Sequence, residues 1–289
     1  PPAPRPAPRP PADVRPAQLS VTEIRTLVRD PYAIYARHVL GLRPLDPLMR
    51  PPDALLRGIL VHDVLETVVR AARDAGRSPA AQDLRRAAAE ALGDPDRLPF
   101  PAKRIQWRHR LEAVADWFAE TEAVRQADAH PRHLEVSGAA RIDALGFTLT
   151  GKADRIDLTD TGQARIWDYK TGAAPSARAQ LHFEKQLLLE AAMVEQGAFA
   201  PLGPRPVDRA GFIALAPADP REVPAPLDEA PPATVWDEFT RLIAAYRAEG
   251  RGFTARRALP KEDAAGDYDH LARFGEWDAT DAPDDGVLE

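Results

Sequence analysis

Cysteine is absent from the 289 residues of this chain. That absence removes disulfides, thiol catalysis and cysteine-bound zinc in one step. Long apolar runs are missing too: none approaches the roughly 18 residues needed to span a bilayer, and no secretory signal opens the chain. No repeat recurs at a fixed period. A cytoplasmic enzyme is the expectation. The length suggests roughly two domains as a soft prior, although one domain with helical insertions would occupy all of it. Pro1 stands where an initiator methionine would be, so the chain is expected to be a piece of something larger.

Proline is abundant, with 30 residues. Pro1 to Pro16 intersperses proline with arginine and reads as an extended linker. Ser20 and Glu23 make a capping box that opens a short helix ending near Arg29. Asp30 is expected to cap a second helix, with Pro31 at its first position and Gly41 closing it. Pro44 to Pro52 reads as a loop. Asp53 to about Arg73 reads as a longer helix, with Gly58, His62 and Glu66 at four-residue spacing on one face. Two more helices are expected near 78–92 and 103–125. In the second, Trp107, Leu111, Val114 and Phe118 recur at helical spacing and read as core. Residues 134–143 read as a strand, 178–196 as a helix and 207–215 as a strand. A proline-rich connection over 217–232 then precedes a helix over 234–248.

The most informative stretch lies between Phe147 and Gly172. Phe147–Leu158 and Ala164–Lys170 read as strands, rich in β-branched and apolar residues. Asp160-Thr161-Gly162 fits a three-residue hairpin loop with glycine at the left-handed position. With that loop, Thr159 faces Gln163, Leu158 faces Ala164, Ile156 faces Ile166, and Asp154 falls opposite Asp168. Asp168 and Lys170 then share a face that Ile166 continues. Directly opposed residues have Cβ atoms roughly 4.5–5.5 Å apart, and like charges there repel. The pair therefore calls for a cation. Mg²⁺ or Mn²⁺ suits such an oxygen-rich site, and Lys170 would sit beside the metal, a combination suited to phosphate. The competing reading is a salt-bridged surface hairpin; the register and the apolar continuation of the face weigh against it. Gly146–Ala153 nearly matches a phosphate-binding loop, but Ala153 stands where the Mg²⁺-binding hydroxyl belongs and the segment alternates as a strand.

Asp154 followed by Asp168-Tyr169-Lys170 resembles the PD-(D/E)XK nuclease signature in its RecB-type form. Arg57 to Glu66 resembles that family's upstream helix, "RGxxxHxxLE". Gln186 to Glu190 is similar to its downstream "QxxxY" helix, with Glu190 in place of tyrosine. Residues 19–24 and 30–37, with Gly41-Leu42, are similar to the start of the nuclease domain of AddB subunits, and 267–273 to its end. The resemblance implies an α/β fold: a restriction-endonuclease-like core, meaning a small mixed sheet flanked by helices, with an N-terminal helical insertion. The nuclease domain would span 19–280, between a linker over 1–18 and a tail over 281–289. It further implies metal-dependent hydrolysis of DNA phosphodiesters, of exonuclease type, in double-strand break processing for recombination. A helicase would deliver the single strand, with an AddA-like helicase–nuclease subunit as partner. Asp154, Asp168 and Lys170 would be catalytic. His62, Asp154, Asp168 and the Tyr169 backbone carbonyl would hold Mg²⁺ or Mn²⁺, and Gln186 would touch DNA.

Many AddB proteins hold an iron–sulfur cluster through four cysteines. Here Asp30 precedes Pro31 where that motif would begin, and without thiolates no such cluster is expected. Glu66 either orients His62 or faces outward. Glu135, one strand before the hairpin, is within approach of the metal but stays outside the expected set. The net charge of −6 is awkward for a DNA-binding protein. From Asp219 onward there are 8 basic and 17 acidic residues, which leaves 30 basic against 27 acidic in the rest, so the acidity is concentrated away from the motifs. Two alternatives stay open: a degenerate nuclease fold that binds DNA or a partner, and a free-standing RecB-type exonuclease.

Overall fold

Prolines lock φ and remove backbone donors, so the first residues are extended, as expected, but they do not behave as a linker. In this computed structural model, which describes residues 2–45, 52–258 and 265–284, arginines tie the stretch to the body. Arg5, in β1 (Arg5–Pro6), donates to the carbonyls of Ala255 at 3.0 Å, Arg256 at 3.1 Å and Ala279 at 2.6 Å. Arg15 donates to the carbonyls of Tyr246 at 2.8 Å and of Glu249 and Arg251 at 3.0 Å. Those groups lie at and beyond a helix end, where carbonyls lack intrahelical partners. Both guanidinium groups are buried, so the linker expectation is corrected. Most of the expected 44–52 loop, and the 281–289 tail beyond Asp284, fall outside the described residues.

β2 (Gln18–Ser20) leads into α1 (Val21–Arg29), and Ser20 and Glu23 form the expected capping box. α2 (Pro31–Ile34) continues as a π-helical turn over Tyr35–Val39. The Asp30 side chain does not cap it; its Oδ1 accepts the Arg256 N–H at 2.9 Å, drawn to the C-terminal segment packed beside it. A layer of four helices follows: α3 (Ala54–Asp74), capped by Asp53, then α4 (Ala81–Gly93), α5 (Pro101–Ala113) and α6 (Ala115–Arg125). The single helix expected over 103–125 is broken at Val114, which has φ −101° and ψ 2°. Trp107, Leu111, Val114 and Phe118 are nevertheless all buried in one core, because both halves pack against it.

The sheet comprises β2 with β3 (Ala129–Ile142), β4 (Phe147–Thr159), β5 (Ala164–Lys170), β6 (Val207–Ala214) and β7 (Arg221–Pro224). β3 runs antiparallel along one edge of β4. The other edge takes β2 in parallel near Leu149 and then β5 antiparallel from Arg155 to Leu158. β6 is parallel to β5, as the helical crossover between them demands. That crossover is two helices, α7 (Ala177–His182) and α8 (Gln186–Glu195), where one was expected. β7 falls inside the expected proline-rich connection. α9 (Pro232–Arg247) and β8 (Pro283–Asp284), which pairs with β1, complete the elements.

Helices cover both faces of this mixed sheet. Ile166 and Phe212 join the core formed with α1, α8 and α9, whereas Trp167, Tyr169, Ile213 and Leu215 join the core formed with α3 to α6. The near-continuous apolar character of β5 and β6 follows from burial on both sides. Among the described residues no helix is long and apolar enough to cross a membrane.

Candidate active site

The hairpin closes as its loop chemistry requires. Gly162 has φ 84°, its N–H donates to the Thr159 carbonyl, and the Thr159 N–H donates to the Gln163 carbonyl, both at 2.9 Å. Leu158 pairs with Ala164, Ile156 with Ile166 and Arg155 with Trp167. The pairing ends there, and beyond it the Asp154 side chain turns to β5, where it accepts the Tyr169 N–H and its charge acts on Asp168.

A distortion that the alternation of residues does not announce lies beside this pair. Phe147, Leu149, Ala153 and then Ile156 all belong to the same core, so the inward phase of β4 slips by one residue around Asp154. On β3, Leu134 pairs with Arg155 and Val136 with Ala153, which leaves Glu135 next to Asp154. Glu135 has φ 51°, a left-handed conformation that costs a non-glycine residue on the order of 1–3 kcal/mol. Glu135, Asp154 and Asp168 thus form a row across three neighbouring strands.

Each acid has different company. The Asp154 Oδ2 accepts the Tyr169 N–H at 2.9 Å and lies 3.3 Å from His62 Nδ1. Asp168 is 2% exposed; its Oδ1 accepts Gln186 Nε2 at 2.5 Å, and its Oδ2 is 2.8 Å from Lys170 Nζ. Burial, then the charge of Asp154, pushes its pKa up to about 6 against the opposing pull of Lys170. Glu135 pairs with Lys152 at 2.5 Å. One oxygen each from Glu135 and Asp154 and one His62 nitrogen lie within 4.8 Å of one another. Two hard oxygen donors and an imidazole at that spacing fit a single Mg²⁺ or Mn²⁺ ion.

His62 reaches the sheet from α3, and its other nitrogen, Nε2, donates to the Tyr169 carbonyl at 2.8 Å. Burial alone would lower its pKa, but Asp154, Asp168 and the Tyr169 carbonyl outweigh that and raise it to about 9. The arrangement brings His62, Asp154, Asp168 and Lys170 together. His62 Nε2 donates to the Tyr169 carbonyl, and Gln186 and Lys170 lie against the two Asp168 oxygens; the carbonyl and the carboxylate each keep further lone pairs. Gln186 is also turned inward: its Oε1 accepts Lys170 Nζ at 3.3 Å, and its Nε2 donates to both Asp168 and Glu190. Glu66 pairs with Arg70 one turn along α3 and does not orient His62. Glu135 is the donor that sequence reasoning left outside the set; its strained backbone has no local signature.

Behind the hairpin, on the face toward α3 to α6, lies a fully buried ionic layer. Arg155 donates to both oxygens of Asp157, at 2.6 and 2.8 Å, and to Glu122 at 2.7 Å. Its Nη1 also lies 3.4 Å from the Tyr169 hydroxyl. Tyr169 is therefore held by its side chain from one face, while its backbone holds His62 and Asp154.

An α/β sheet that presents clustered acids, a histidine from a flanking helix and a lysine two residues along β5 is a donor set of the kind suited to a divalent cation and phosphate chemistry. Residues 18–265 match the PD-(D/E)XK nuclease superfamily, and the chain belongs to that superfamily. The mixed sheet and its flanking helices form a restriction-endonuclease-like core of that kind. Uncharacterized proteins of Rickettsia conorii and Rickettsia typhi are similar to the chain, 30% identical over 191 residues and 29% over 193 residues. The matches cover 64% of this chain but 23% and 22% of those proteins, so the chain spans less than a quarter of their length. A solved chain described as "Crystal structure of SSO0001" is similar over 78% of this chain and 76% of its own, with 15% identity and a TM-score of 0.33.

Proposed function

We propose that the chain is a metal-dependent deoxyribonuclease domain of AddB-like type that hydrolyses phosphodiesters of a single DNA strand. Superfamily membership supports the nuclease chemistry. The observation that carries the site is the clustering of Glu135, Asp154 and Asp168, with His62 beside Asp154 and Lys170 beside Asp168. His62, Glu135 and Asp154 would hold the cation, with Asp168 next to them. A divalent ion held by these residues would supply a lowered pKa for a coordinated water and neutralisation of phosphate charge.

The chain's own groups do the rest. Lys170 donates to Gln186 Oε1 at 3.3 Å and is ion-paired with Asp168 Oδ2 at 2.8 Å, and of the three N–H donors of an ammonium at least one is available for a phosphate oxygen or the attacking water. A positive donor fixed at that place favours the charge that builds up during attack at phosphorus. Asp168, with its raised pKa of about 6, is suited to accept the proton of the attacking water near neutral pH. The P–O3′ bond breaks as the water oxygen bonds to phosphorus, and the departing 3′ oxygen takes a proton from solvent, which leaves a 5′-phosphate and a 3′-hydroxyl. The similarity of residues 19–24, 30–37 and 41–42, and of 267–273, to AddB nuclease domains supports the finer assignment: a strand delivered by an AddA-like helicase partner, in cytoplasmic double-strand break processing. Cleavage of end-labelled single-stranded DNA with Mg²⁺ or Mn²⁺ tests the core of this reading. Metal-dependent cleavage lost in both Asp168→Ala and Lys170→Ala is expected. Cleavage that survives both substitutions, or no cation binding by the wild type, would overturn it.

A further inference from the structure

The Arg155–Trp167 pair is the last rung between β4 and β5, and Arg155 also pairs with Leu134 on β3. Each acid of the site is the immediate chain neighbour of this rung: Glu135 follows Leu134, Asp154 precedes Arg155 and Asp168 follows Trp167. Beyond it, among the described residues, β4 and β5 share no further backbone rung. The spacing of the two strands there sets the distance between Asp154 and Asp168, and with it the size of ion they can share.

Side chains join the strands where the backbone does not. On the side of the acids, Asp154 accepts the Tyr169 N–H at 2.9 Å. On the opposite face, toward α3 to α6, Arg155 donates to both oxygens of Asp157, and its Nη1 lies 3.4 Å from the Tyr169 hydroxyl. Asp157 in turn accepts the indole N–H of Trp167 at 3.1 Å. A pair from β4 thus grips the two residues of β5 that flank Asp168, and all four side chains are buried. Well-packed apolar groups in place of a buried ion pair are often neutral or stabilising. What the pair adds is direction, because hydrogen bonds fix angles and distances that apolar contacts leave loose.

We propose that Arg155 and Asp157 are positioning residues that set the ion preference of the site: by gripping Trp167 and Tyr169 they hold β5 at the separation from β4 that suits a small divalent ion, Mg²⁺ or Mn²⁺, over Ca²⁺. That role rests on the metal-site reading of Glu135, Asp154 and Asp168. The same grip reaches His62, whose Nε2 donates to the Tyr169 carbonyl. Mg²⁺ demands ligands at about 2.0–2.1 Å in a near-octahedral set, whereas Ca²⁺ accepts about 2.3–2.6 Å and irregular geometry. A site whose walls are held rigid discriminates between the two, and a site whose walls can part does not. Arg155 and Asp157 act from behind the sheet, where Arg155 also donates to Glu122 of α6 at 2.7 Å.

Calorimetric titration of the protein with Mn²⁺ and with Ca²⁺ tests this. Wild type is expected to bind Mn²⁺ about tenfold or more tighter than Ca²⁺. Arg155→Met/Asp157→Leu removes both charges together and is expected to keep the fold. It is expected to lose about tenfold in Mn²⁺ affinity, as when groups that orient ligands are removed, and to change Ca²⁺ affinity by less than about threefold, so that the preference narrows. Trp167→Phe/Tyr169→Phe keeps the ion pair but removes both groups it grips, and is expected to narrow the preference likewise. Ile243→Ala lowers stability from the core on the other face of the sheet and is expected to leave the preference unchanged. A wild type that binds neither ion would refute the metal-site reading itself. A wild type that binds both alike, or either paired variant folded with the wild-type preference, would overturn the positioning role alone. A narrowing in Ile243→Ala equal to theirs would overturn it too, because loss of stability would then be the cause. Should Arg155→Met/Asp157→Leu fail to fold by thermal melting, Trp167→Phe/Tyr169→Phe decides the matter.

Discussion

Glu122→Gln removes one charge from the layer behind the hairpin and keeps its shape. Glu122 is fully buried and neutralises Arg155 and Arg125, which are 0% and 4% exposed. Its second oxygen accepts Gln126 Nε2 at 2.7 Å. Two routes give the size of the effect. Burial alone would raise the Glu122 pKa, but Arg155 and Arg125 outweigh it and bring it from 4.5 down to about 2. That depression is worth about 3 kcal/mol of stability at neutral pH. Removing one partner of a buried ion pair costs about 3–5 kcal/mol. Asp157 and Glu222 still face the two arginines, which places the loss at the low end of that range. For a chain of this length, about 3 kcal/mol corresponds to a Tm drop of about 5 °C. The sign with pH follows from a folded pKa below the unfolded one: the contribution is present above about pH 4.5 and is lost as pH falls toward 2. Urea unfolding is the assay. Tryptophan fluorescence reports it directly, since Trp167 Nε1 donates to Asp157 at 3.1 Å and Arg125 lies over its ring. A wild-type-to-variant difference below about 1 kcal/mol at pH 7, or one that does not shrink in acid, would refute the reasoning.

In the metal-free protein His62 has its pKa raised from 6.5 to about 9, so the stability it contributes is complete below about pH 6.5 and disappears as pH rises through 9. Neutral imidazole is the ligand form, so Mn²⁺ affinity measured by calorimetry is expected to rise across the same window; an affinity that stays flat would remove His62 from the site. Glu135→Gly relieves a left-handed residue and deletes a carboxylate. Metal-free stability is expected to rise by about 1 kcal/mol, while Mn²⁺ affinity falls about tenfold or more; unchanged affinity would exclude Glu135 as a ligand. Gly138→Ala would put a Cβ 2.6 Å from the Phe199 ring, and a destabilisation of about 1–3 kcal/mol is expected from urea unfolding.

Short-range chemistry determined much of this protein. A glycine that tolerates positive φ sets the hairpin loop, the loop sets the register from Leu158–Ala164 to Arg155–Trp167, and that register carries Asp154 to the side of Asp168 and Lys170. The Ser20–Glu23 capping box and the Trp107-to-Phe118 stripe are local in the same sense, and the stripe outlives the break at Val114 because burial, not helix continuity, is what it encodes. Tertiary packing decided the rest. The bend that turns Glu135 into the site comes from the pairing of two long strands and has no marker in either. The nitrogens of His62 meet Asp154 and Tyr169 only because α3 lies across the end of the hairpin. Gln186 spends its amide on Asp168 and Lys170, which are distant in sequence, and so serves the site from within. The leading prolines and arginines read as a linker because composition reports solubility and stiffness; whether carbonyls elsewhere in the chain await those arginines is a property of the folded surface alone.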